Sequence, residues 1–268
     1  MKYLIWMFLI LSGGAMAETR LYVFDCGSLK LNSLAMFGLE DKDSPVREMF
    51  VPCYLIEHAQ GRVLWDGGLP GAIAQAPGPV EIEAGTMTYD RWIVDQLADM
   101  GIAPADIDHA VYSHLHFDHA GAANAFVETN VIMQRKEWDA AFAEGGEFVD
   151  TSLFDGIEKD KVTFIDGDYD IFGDGSVRLI FAPGHTPGHQ MLLVTLKNSG
   201  PILLSGDLYH TRANRSLRKV PPFNSDAAQT LESMDKIESL LADTGATLWI
   251  EHDKALADTL KKAPAYYD

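Results

Sequence analysis

Four side chains that commonly bind metal ions lie within six positions of this sequence. They are His114, His116, Asp118 and His119. The preceding residues, 107–112, are apolar and β-branched, which predicts a strand that ends just before the histidines. His114 and His116 then share one face of an extended chain, whereas Asp118 and His119 can point to different sides of a turn. One loop is therefore suited to bind two neighbouring metal ions.

A solvated polar loop is the alternative interpretation of this stretch. Three histidines and one aspartate at ligand spacing rarely coincide by chance, so metal binding is favoured. The spacing His-x-His-x-Asp-His resembles the signature of the metallo-β-lactamase superfamily of dinuclear zinc hydrolases. Four further segments resemble the superfamily's other blocks in the expected order. These segments are Val63–Gly68, Ala182–His189, Leu203–Asp207 and Leu248–Asp253.

The five blocks together span most of residues 18–268, and within the superfamily the sequence is most similar to the N-acyl homoserine lactonases. The alternation of strands and helices predicts an α/β sandwich. The resemblance implies the αβ/βα four-layer form, with two packed mixed β-sheets and helices on the outer faces. It also implies a hydrolase that opens the lactone ring of N-acyl homoserine lactones, a quorum-quenching activity, with a hydroxide shared between two metal ions.

The resemblance further implies two Zn²⁺ ions per chain, and other divalent metals suit the same ligands. The implied ligands are His114, His116 and His185 for one ion, Asp118, His119 and His252 for the other, and Asp207 as a bridge. Histidine nitrogen and carboxylate oxygen are ligands that zinc accepts. No cysteine occupies a ligand position, which argues against redox or iron–sulfur chemistry.

The catalytic donor departs from the family pattern. The family's usual catalytic tyrosine lies three positions after the bridging aspartate, where this sequence has His210 with Tyr209 beside it. Either Tyr209 is re-aimed or His210 replaces the tyrosine, since a phenol or an imidazole can donate a hydrogen bond to a lactone carbonyl. Asp118 is expected to move the proton during ring opening.

The substrate pocket is expected to include Met36 and Phe37. Residues 29–43 are apolar without clean periodicity, which fits either an irregular segment on the core or one wall of a pocket. Methionine adapts to irregular apolar shapes and so suits an acyl chain. The expected partner is a small-molecule lactone or ester, and a homodimer is left open.

The same residues are compatible with two other functions. A related dinuclear hydrolase of a phosphotriester, thioester or β-lactam is the first alternative, although the bridging Asp207 argues against a β-lactamase. A metal-binding protein without catalysis, such as a zinc scavenger, is the second. A glutathione-binding cluster is not evident, although four basic residues lie close together. They are Arg212, Arg215, Arg218 and Lys219. The net charge of −18 argues against a nucleic-acid substrate.

The first seventeen residues resemble a secretory signal peptide. Lys2 gives a positive start, residues 4–11 are apolar, and Ala15-Met16-Ala17 forms a small-residue cleavage site. The mature chain is therefore expected to begin at Glu18 and to form a single domain over residues 18–268. The expected location is periplasmic or secreted, with no stable membrane association after processing.

Cys26 and Cys53 lie in apolar strand-like settings and are expected to be free buried thiols, although export permits a disulfide. Residues 68–88 are expected to form a long loop or lid. A helix is predicted over 89–100 with Thr88 as its N-cap, and another over 225–241 with an apolar stripe towards the core.

Predictions also follow for three further histidines and two segments. His58 is expected to be solvated at a hairpin, His109 to be structural, and His189 to support or pack beside the metal ligands. Residues 145–170 are acidic and turn-rich, which predicts an excursion over the surface. Residues 220–223 are expected to form a rigid connector that could close over the site.

Overall fold

The computed structural model describes residues 18–143 and 149–268. The predicted signal peptide, residues 1–17, lies outside them, and so does part of the predicted excursion at 145–170. Across the described part of the chain, every helix is too short or too polar to cross a membrane.

The described residues form two β-sheets. In spatial order the first sheet contains β4 (Val80–Ile82), β5 (Gly85–Thr88), β1 (Arg20–Leu31), β2 (Glu48–His58), β3 (Gly61–Trp65), β6 (His109–Val111), β7 (Asn130–Gln134) and β8 (Val162–Ile165), and β14 (Tyr266–Tyr267) pairs with β1. The second sheet contains β13 (Thr247–Trp249), β12 (Gly200–Leu204), β11 (Gln190–Leu196), β10 (Val177–Phe181) and β9 (Tyr169–Asp170).

Six α-helices accompany these sheets in the described part of the chain. They are α1 (Gly71–Ala74), α2 (Ile93–Asp99), α3 (Arg135–Ala141), α4 (Arg212–Leu217), α5 (Ala227–Thr244) and α6 (Lys254–Ala257). Short 3-10 helices lie at Ala35–Phe37, Pro104–Asp106, Ala123–Phe126, Thr151–Leu153 and Lys159–Lys161.

Strand β1 shows why the layers form. Successive side chains of a strand point to opposite faces, and in β1 both faces are apolar. Leu21 and Val23 pack in the core between the two sheets. Tyr22 and Phe24 pack in the core on the other face of the first sheet, which helix α2 shares through Ile93. A strand that is apolar on both faces requires a covering layer on each side, which a four-layer sandwich provides.

Helix α5 covers the outer face of the second sheet. Met234 and Ile237 are buried in a core with Leu193 and Leu203 of strands β11 and β12. Asp226 caps the helix by accepting a hydrogen bond from the Gln229 N–H. The predicted helix and its core-facing stripe are confirmed, and so is the αβ/βα sandwich.

Two pairs of parallel strands, one pair in each sheet, end at the edge of the sandwich that carries the predicted ligands. Strands β3 and β6 are parallel neighbours in the first sheet, and β12 and β13 are parallel neighbours in the second. Within each pair the carboxyl ends lie at the same edge. The loops that follow the four strands carry Asp66, His114–His119, Asp207 and His252, whose side chains lie close together.

The predicted loop over residues 68–88 is wrong in part. It contains helix α1 and the hairpin β4–β5, and β5 extends the sheet because Ser28 to Leu31 of β1 pair with it. The predicted helix over 89–100 is shorter and begins at Ile93. Thr88 belongs to β5, and the Tyr89 hydroxyl accepts the Ile93 N–H at 2.7 Å, so a tyrosine side chain takes the place of the expected N-cap.

Two further expectations need correction. His58 is buried, with its ring stacked on Phe172 at 4.1 Å and its Nε2 3.0 Å from the Asp174 carboxylate, so it is not a solvated residue. The described part of 145–170 is not only a surface excursion, because β8 joins the first sheet beside β7. His109 is structural as expected, since it begins β6 and hydrogen-bonds to Asn130.

The two cysteines form a disulfide, which contradicts the prediction of free thiols. Cys26 and Cys53 lie on the paired strands β1 and β2, and their Cα atoms are 5.7 Å apart, within the usual range for a disulfide. A register shift in β1 between Asp25 and Ser28 lies at this point. The apolar setting suggested buried thiols, but a buried disulfide suits the same setting.

The disulfide is expected to stabilise the fold. The bonded cysteines are 27 residues apart, and closing a loop of that length removes unfolded-chain entropy. The double substitution Cys26→Ala/Cys53→Ala should therefore lower the free energy of unfolding by about 3 kcal/mol. Denaturant unfolding of the two proteins at equal metal content measures this. Equal stability of parent and variant would show that the bond does not constrain the unfolded chain.

Candidate active site

The first group of predicted ligands converges at the sandwich edge. His185 Nε2 lies 3.0 Å from His114 Nε2 and 3.1 Å from His116 Nδ1. Strand β6 delivers the first two histidines, and the loop between β10 and β11 delivers His185. Three imidazole nitrogens directed at one point are a typical ligand set for a zinc-like ion.

The second group lies beside the first. Asp118 Oδ2 is 3.9 Å from His119 Nε2 and 3.7 Å from His252 Nε2. These three residues also satisfy the geometry of a metal-binding group, with ligand atoms within 4.8 Å of one another. The separation of Asp118 and His119 from His114 and His116 into two groups is the arrangement that the loop spacing predicts.

Asp207 lies between the two groups and faces both. Its Oδ2 is 3.4 Å from His185 Nε2, and its Oδ1 is 2.9 Å from His252 Nε2 and 3.2 Å from His119 Nε2. One carboxylate oxygen therefore faces each group, which suits a bridge between two ions. The structure thus brings all seven predicted ligands into one cluster.

Hydrogen bonds to the other ring nitrogens orient the ligand histidines. His185 Nδ1 donates to the Asn224 side-chain oxygen at 3.0 Å, and His252 Nδ1 donates to the Phe50 carbonyl at 2.7 Å. With Nδ1 used in this way, Nε2 is the ring nitrogen that faces the cluster and can bind a metal ion. Such partners of ligand histidines fix the tautomer and strengthen metal binding.

Asp66 orients His119 and the start of the metal loop. Its carboxylate lies 2.7 Å from His119 Nδ1 and accepts hydrogen bonds from the backbone N–H and the hydroxyl of Ser113. Asp66 has a φ of 56°, which is costly for a residue other than glycine. The three hydrogen bonds hold this conformation and place Asp66 behind the metal ligands.

His189 and Gly206 shape the turn that presents Asp207. His189 Nδ1 donates to the Ala182 carbonyl, and its Nε2 accepts the Asp207 N–H at 2.9 Å. Gly206 has a φ of +47°, and a Cβ there would lie 2.6 Å from His189 Nε2, so glycine is required. His189 therefore supports Asp207 and is not itself directed at the cluster, in agreement with the sequence analysis.

The electrostatics of the cluster favour neutral imidazoles in the first group. Burial lowers the pKa of His114 and His185 well below the usual value, and lowers the pKa of His116 to about 4. Neutral imidazole is the form that binds a metal ion.

In the second group, the carboxylates of Asp118 and Asp207 favour a positive charge beside them. Burial alone would lower the pKa of His252, but Asp207 and Asp118 outweigh it and raise that pKa to about 9. Burial would raise the pKa of Asp207, but the neighbouring His210, His119 and His252 hold it well below its usual value. The buried His119 Nε2 and Asp207 Oδ1 atoms are 3.2 Å apart, but neither makes a hydrogen bond of good geometry among the described residues. A divalent cation fits these residues, because it would supply the positive charge that the carboxylates favour and would coordinate His119 Nε2 and Asp207 Oδ1.

The structure separates the two candidates for the catalytic donor. His210 is buried between Phe37 and Phe223, its Nε2 is 3.1 Å from Asp207 Oδ2, and its Nδ1 has no hydrogen-bond partner among the described residues. The Tyr209 hydroxyl points away and donates to Glu238 at 2.9 Å. Adjacent side chains diverge here, so the alternative in which Tyr209 is re-aimed into the site is not supported.

A pocket of about 460 Å³ opens onto the cluster. Ten apolar residues line it: Leu29, Leu31, Met36, Phe37, Met49, Ile82, Ala84, Met87, Phe117 and Phe223. Polar lining comes from His116, Asp118, Asp207, His210 and His252, and from the exposed Glu83. Met36 and Phe37 are therefore in the pocket wall, and Phe223 brings the predicted connector to the site.

Three of the four basic residues of the sequence analysis pair with acidic residues. Arg212, Arg215 and Arg218 pair with Asp253, Glu238 and Asp235 respectively. Because an acidic residue pairs with each of the three arginines, the cluster offers little charge to an anionic thioester substrate.

Comparison with known proteins agrees with this geometry. Residues 46–244 match the family model described as the metallo-beta-lactamase superfamily. The chain belongs to the metallo-β-lactamase superfamily. Within this superfamily it is 36% identical to the N-acyl homoserine lactonase AttM of Azorhizobium caulinodans, over 94% of this chain and 100% of that relative.

Other members of the superfamily show the same relationship. The N-acyl homoserine lactonase AiiA of Bacillus thuringiensis subsp. kurstaki is 31% identical over 80% of this chain and 85% of that relative. A solved structure of N-acyl homoserine lactone hydrolase has the product N-hexanoyl-L-homoserine bound at its catalytic metal center. Its TM-score with this chain is 0.77 at 28% identity, covering 94% of this chain and all of that chain.

Three residues of the site could not be recognised from the sequence. Asn224, which orients His185, directly follows the predicted connector 220–223, Met87 lies in the segment that was predicted to be a loop or lid, and Met49 belongs to no motif.

Proposed function

We propose that this protein hydrolyses the lactone ring of N-acyl homoserine lactones. One observation carries the proposal: two ligand groups bridged by Asp207 open into a largely apolar pocket. The cluster suits hydrolysis of an ester bond, and the pocket suits an acyl chain. Relatives over 94% of the chain are N-acyl homoserine lactonases, which supports the same substrate class.

We further propose that the resident cofactor is a pair of Zn²⁺ ions. His114, His116 and His185 would hold one, Asp118, His119 and His252 the other, and Asp207 would bridge them. When bound, such a pair supplies Lewis-acid chemistry, making hydroxide available near neutral pH and stabilising negative charge on oxygen. Mostly histidine ligands, without cysteine, also suit other divalent ions.

The chain's own groups would complete the reaction. The His210 imidazole lines the pocket and would donate a hydrogen bond to the lactone carbonyl oxygen as it gains negative charge. The Asp118 carboxylate also lines the pocket and would carry the proton to the leaving alcohol. Ring opening consumes one water and yields an N-acyl homoserine with a free carboxylate and a free hydroxyl.

A substrate panel tests the proposal. Purified protein with measured metal content should open N-decanoyl-homoserine lactone with much higher kcat/KM than it cleaves a phosphotriester, a glutathione thioester or a β-lactam. Turnover of one of those three at a higher kcat/KM would replace the proposed substrate class. Full metal content without turnover of any of them would favour the alternative of a metal-binding protein without catalysis.

The apolar wall is expected to bind the acyl chain. Met36 is 41% exposed at the pocket wall, so shortening it should change substrate contacts more than stability. Removing about three heavy atoms that a bound acyl chain would bury should raise the KM for N-decanoyl-homoserine lactone roughly tenfold. The KM for the N-butanoyl substrate should change little. Steady-state kinetics of Met36→Ala on both substrates checks this, with the exposed Leu217→Ala as the control. A KM that rises equally for both chain lengths would remove Met36 from the acyl site.

We also propose that the protein is exported, most simply to a bacterial periplasm. The signal-like sequence of residues 1–17 supports this, and so does the Cys26–Cys53 disulfide, because disulfides persist in oxidising compartments. Intact-mass analysis of periplasmic protein should give a chain that begins at Glu18. Unprocessed, active protein recovered from the cytoplasm would contradict export.

A further inference from the structure

Two buried glutamates lie behind the ligand cluster, outside the pocket. Glu137 is on helix α3 and is 3% exposed, and Glu251 follows strand β13 and is 2% exposed. A charged or acidic side chain is rarely buried unless its oxygens are hydrogen-bonded. The donors that reach these two carboxyl groups therefore indicate why they are there.

Glu137 joins the two loops of the first ligand group. Its Oε1 accepts the backbone N–H of Leu115, the residue between His114 and His116. Its Oε2 accepts the Thr186 hydroxyl at 2.7 Å and the Gly188 N–H at 2.9 Å. Thr186 directly follows His185 in the chain. One carboxylate thus ties the loop of His114 and His116 to the loop of His185.

Glu251 joins the segments of the second ligand group in the same way. Its Oε1 accepts the Trp65 indole N–H and the Gly206 N–H, both at 3.0 Å. Trp65 precedes Asp66, which holds His119, and Gly206 precedes Asp207. Glu251 itself precedes His252. One oxygen therefore fixes the chain beside three parts of the second site.

We propose that Glu137 and Glu251 are positioning residues that each govern one of the two metal sites. Glu137 holds the ligands of the first site, and Glu251 holds those of the second. Metal ligands that keep their orientation before binding lose less freedom when the ion arrives, so removing such support typically weakens metal binding about 10- to 100-fold. The inference rests on the two-metal site of the proposed function and not on the identity of the substrate.

A different role for Glu251 must be distinguished. One ligand atom each from Asp66, His119 and Glu251 lie within 4.8 Å of one another, as in a third cation site. Asp66 already accepts hydrogen bonds from the Ser113 N–H and hydroxyl and lies 2.7 Å from His119 Nδ1. These contacts occupy the Asp66 oxygens, which favours positioning over a third ion.

Zinc titration of the metal-free protein tests the proposal without any substrate. Stepwise competition with a chromophoric chelator should give two zinc ions per chain for the parent. Glu137→Leu and Glu251→Leu should each weaken one binding step about 10- to 100-fold and leave the other near the parental affinity. The control Glu158→Leu, which removes an exposed charge, should leave both steps unchanged.

Second substitutions identify which site is weakened. In the Glu251→Leu background, His185→Ala should abolish the remaining tight step, whereas His252→Ala should leave it. In the Glu137→Leu background, His252→Ala should abolish the remaining tight step, whereas His185→Ala should leave it. If each glutamate variant weakens both steps equally, the division between the two sites is wrong. Three zinc ions on the parent and two on Glu251→Leu would make Glu251 a ligand and overturn the proposal.

The amide variants separate positioning from folding. The Trp65 and Gly206 N–H groups both donate to one oxygen of Glu251. The side-chain oxygen of Glu251→Gln can accept both hydrogen bonds, so this variant should restore parental zinc affinity. Glu137 uses both oxygens, so Glu137→Gln loses an acceptor and should remain weak at one step. Circular dichroism should show that the two leucine variants and the two glutamine variants are all folded. Zinc affinity that instead follows thermal stability across the four proteins would mean a general structural role, and would contradict the proposal.

Discussion

Asp207→Ala is expected to bind no more than one metal ion tightly per chain and to lose nearly all lactone hydrolysis. Asp207 places one oxygen towards each ligand group, so its loss removes a ligand from both sites and the bridge between them. Losing several kcal/mol of transition-state charge stabilisation corresponds to a decrease in kcat of about a thousandfold or more. Metal analysis and steady-state kinetics on the same sample measure both effects.

The exposed Asp243→Asn is the control for Asp207→Ala, since it changes the net charge by the same amount away from the site. It should keep two metal ions and parental turnover. If Asp207→Ala also keeps both, the carboxylate is not the bridge, and the two-metal arrangement must be rejected.

His210→Ala is expected to lower kcat about 100-fold with little change in KM, as for the loss of one donor to a developing oxyanion. A donor that acts only in the transition state lowers kcat without weakening substrate binding. The position of His210 in the pocket wall, with its Nε2 3.1 Å from the bridging Asp207, supports this role. Kinetics on N-decanoyl-homoserine lactone at full metal content measures it. His210→Gln, which keeps a donor, should recover part of the loss.

Tyr209→Phe is the matched comparison for His210→Ala. The Tyr209 hydroxyl donates to Glu238 and not into the pocket, so this variant should keep near-parental turnover. Parental turnover in both variants at full metal content would mean that no protein donor assists the carbonyl. A large loss in Tyr209→Phe alone would return the role to the tyrosine.

The metal cluster could be predicted from the sequence because its information is local. His114 to His119 form a short motif after an apolar strand, and the strand boundary alone determines where they emerge. The remaining ligands follow recognisable strand ends, so the resemblance placed them in the right order. The same applies to helix α5, whose apolar stripe is a pattern within one segment.

The errors arose where long-range contacts decide the structure. The Cys26–Cys53 disulfide depends on the pairing of β1 with β2, and the strand character of β5 depends on pairing with β1. The composition of residues 68–88, rich in glycine, proline and alanine, concealed that pairing. The start of helix α2 depends on the Tyr89 hydroxyl, which has no capping signature in the sequence.

The two positioning glutamates were missed for a related reason. Glu137 lies in a short helix with other charged residues, where a solvated position is the usual expectation. Glu251 gave a weak signal, since it is an acidic residue one position beyond the end of strand Thr247–Trp249 and directly before His252. An acidic residue at the end of a buried strand and beside a ligand is therefore a candidate for support of that ligand.

Lactone hydrolysis measured during zinc titration of the metal-free protein tests the central claim most directly. Turnover of N-decanoyl-homoserine lactone should stay low through the first equivalent of zinc, rise with the second, and reach a plateau at two ions per chain. This follows because Asp207 faces both ligand groups and the reaction requires both ions. Full turnover at one equivalent, or undiminished turnover in the metal-free protein, would contradict a dinuclear lactone hydrolase.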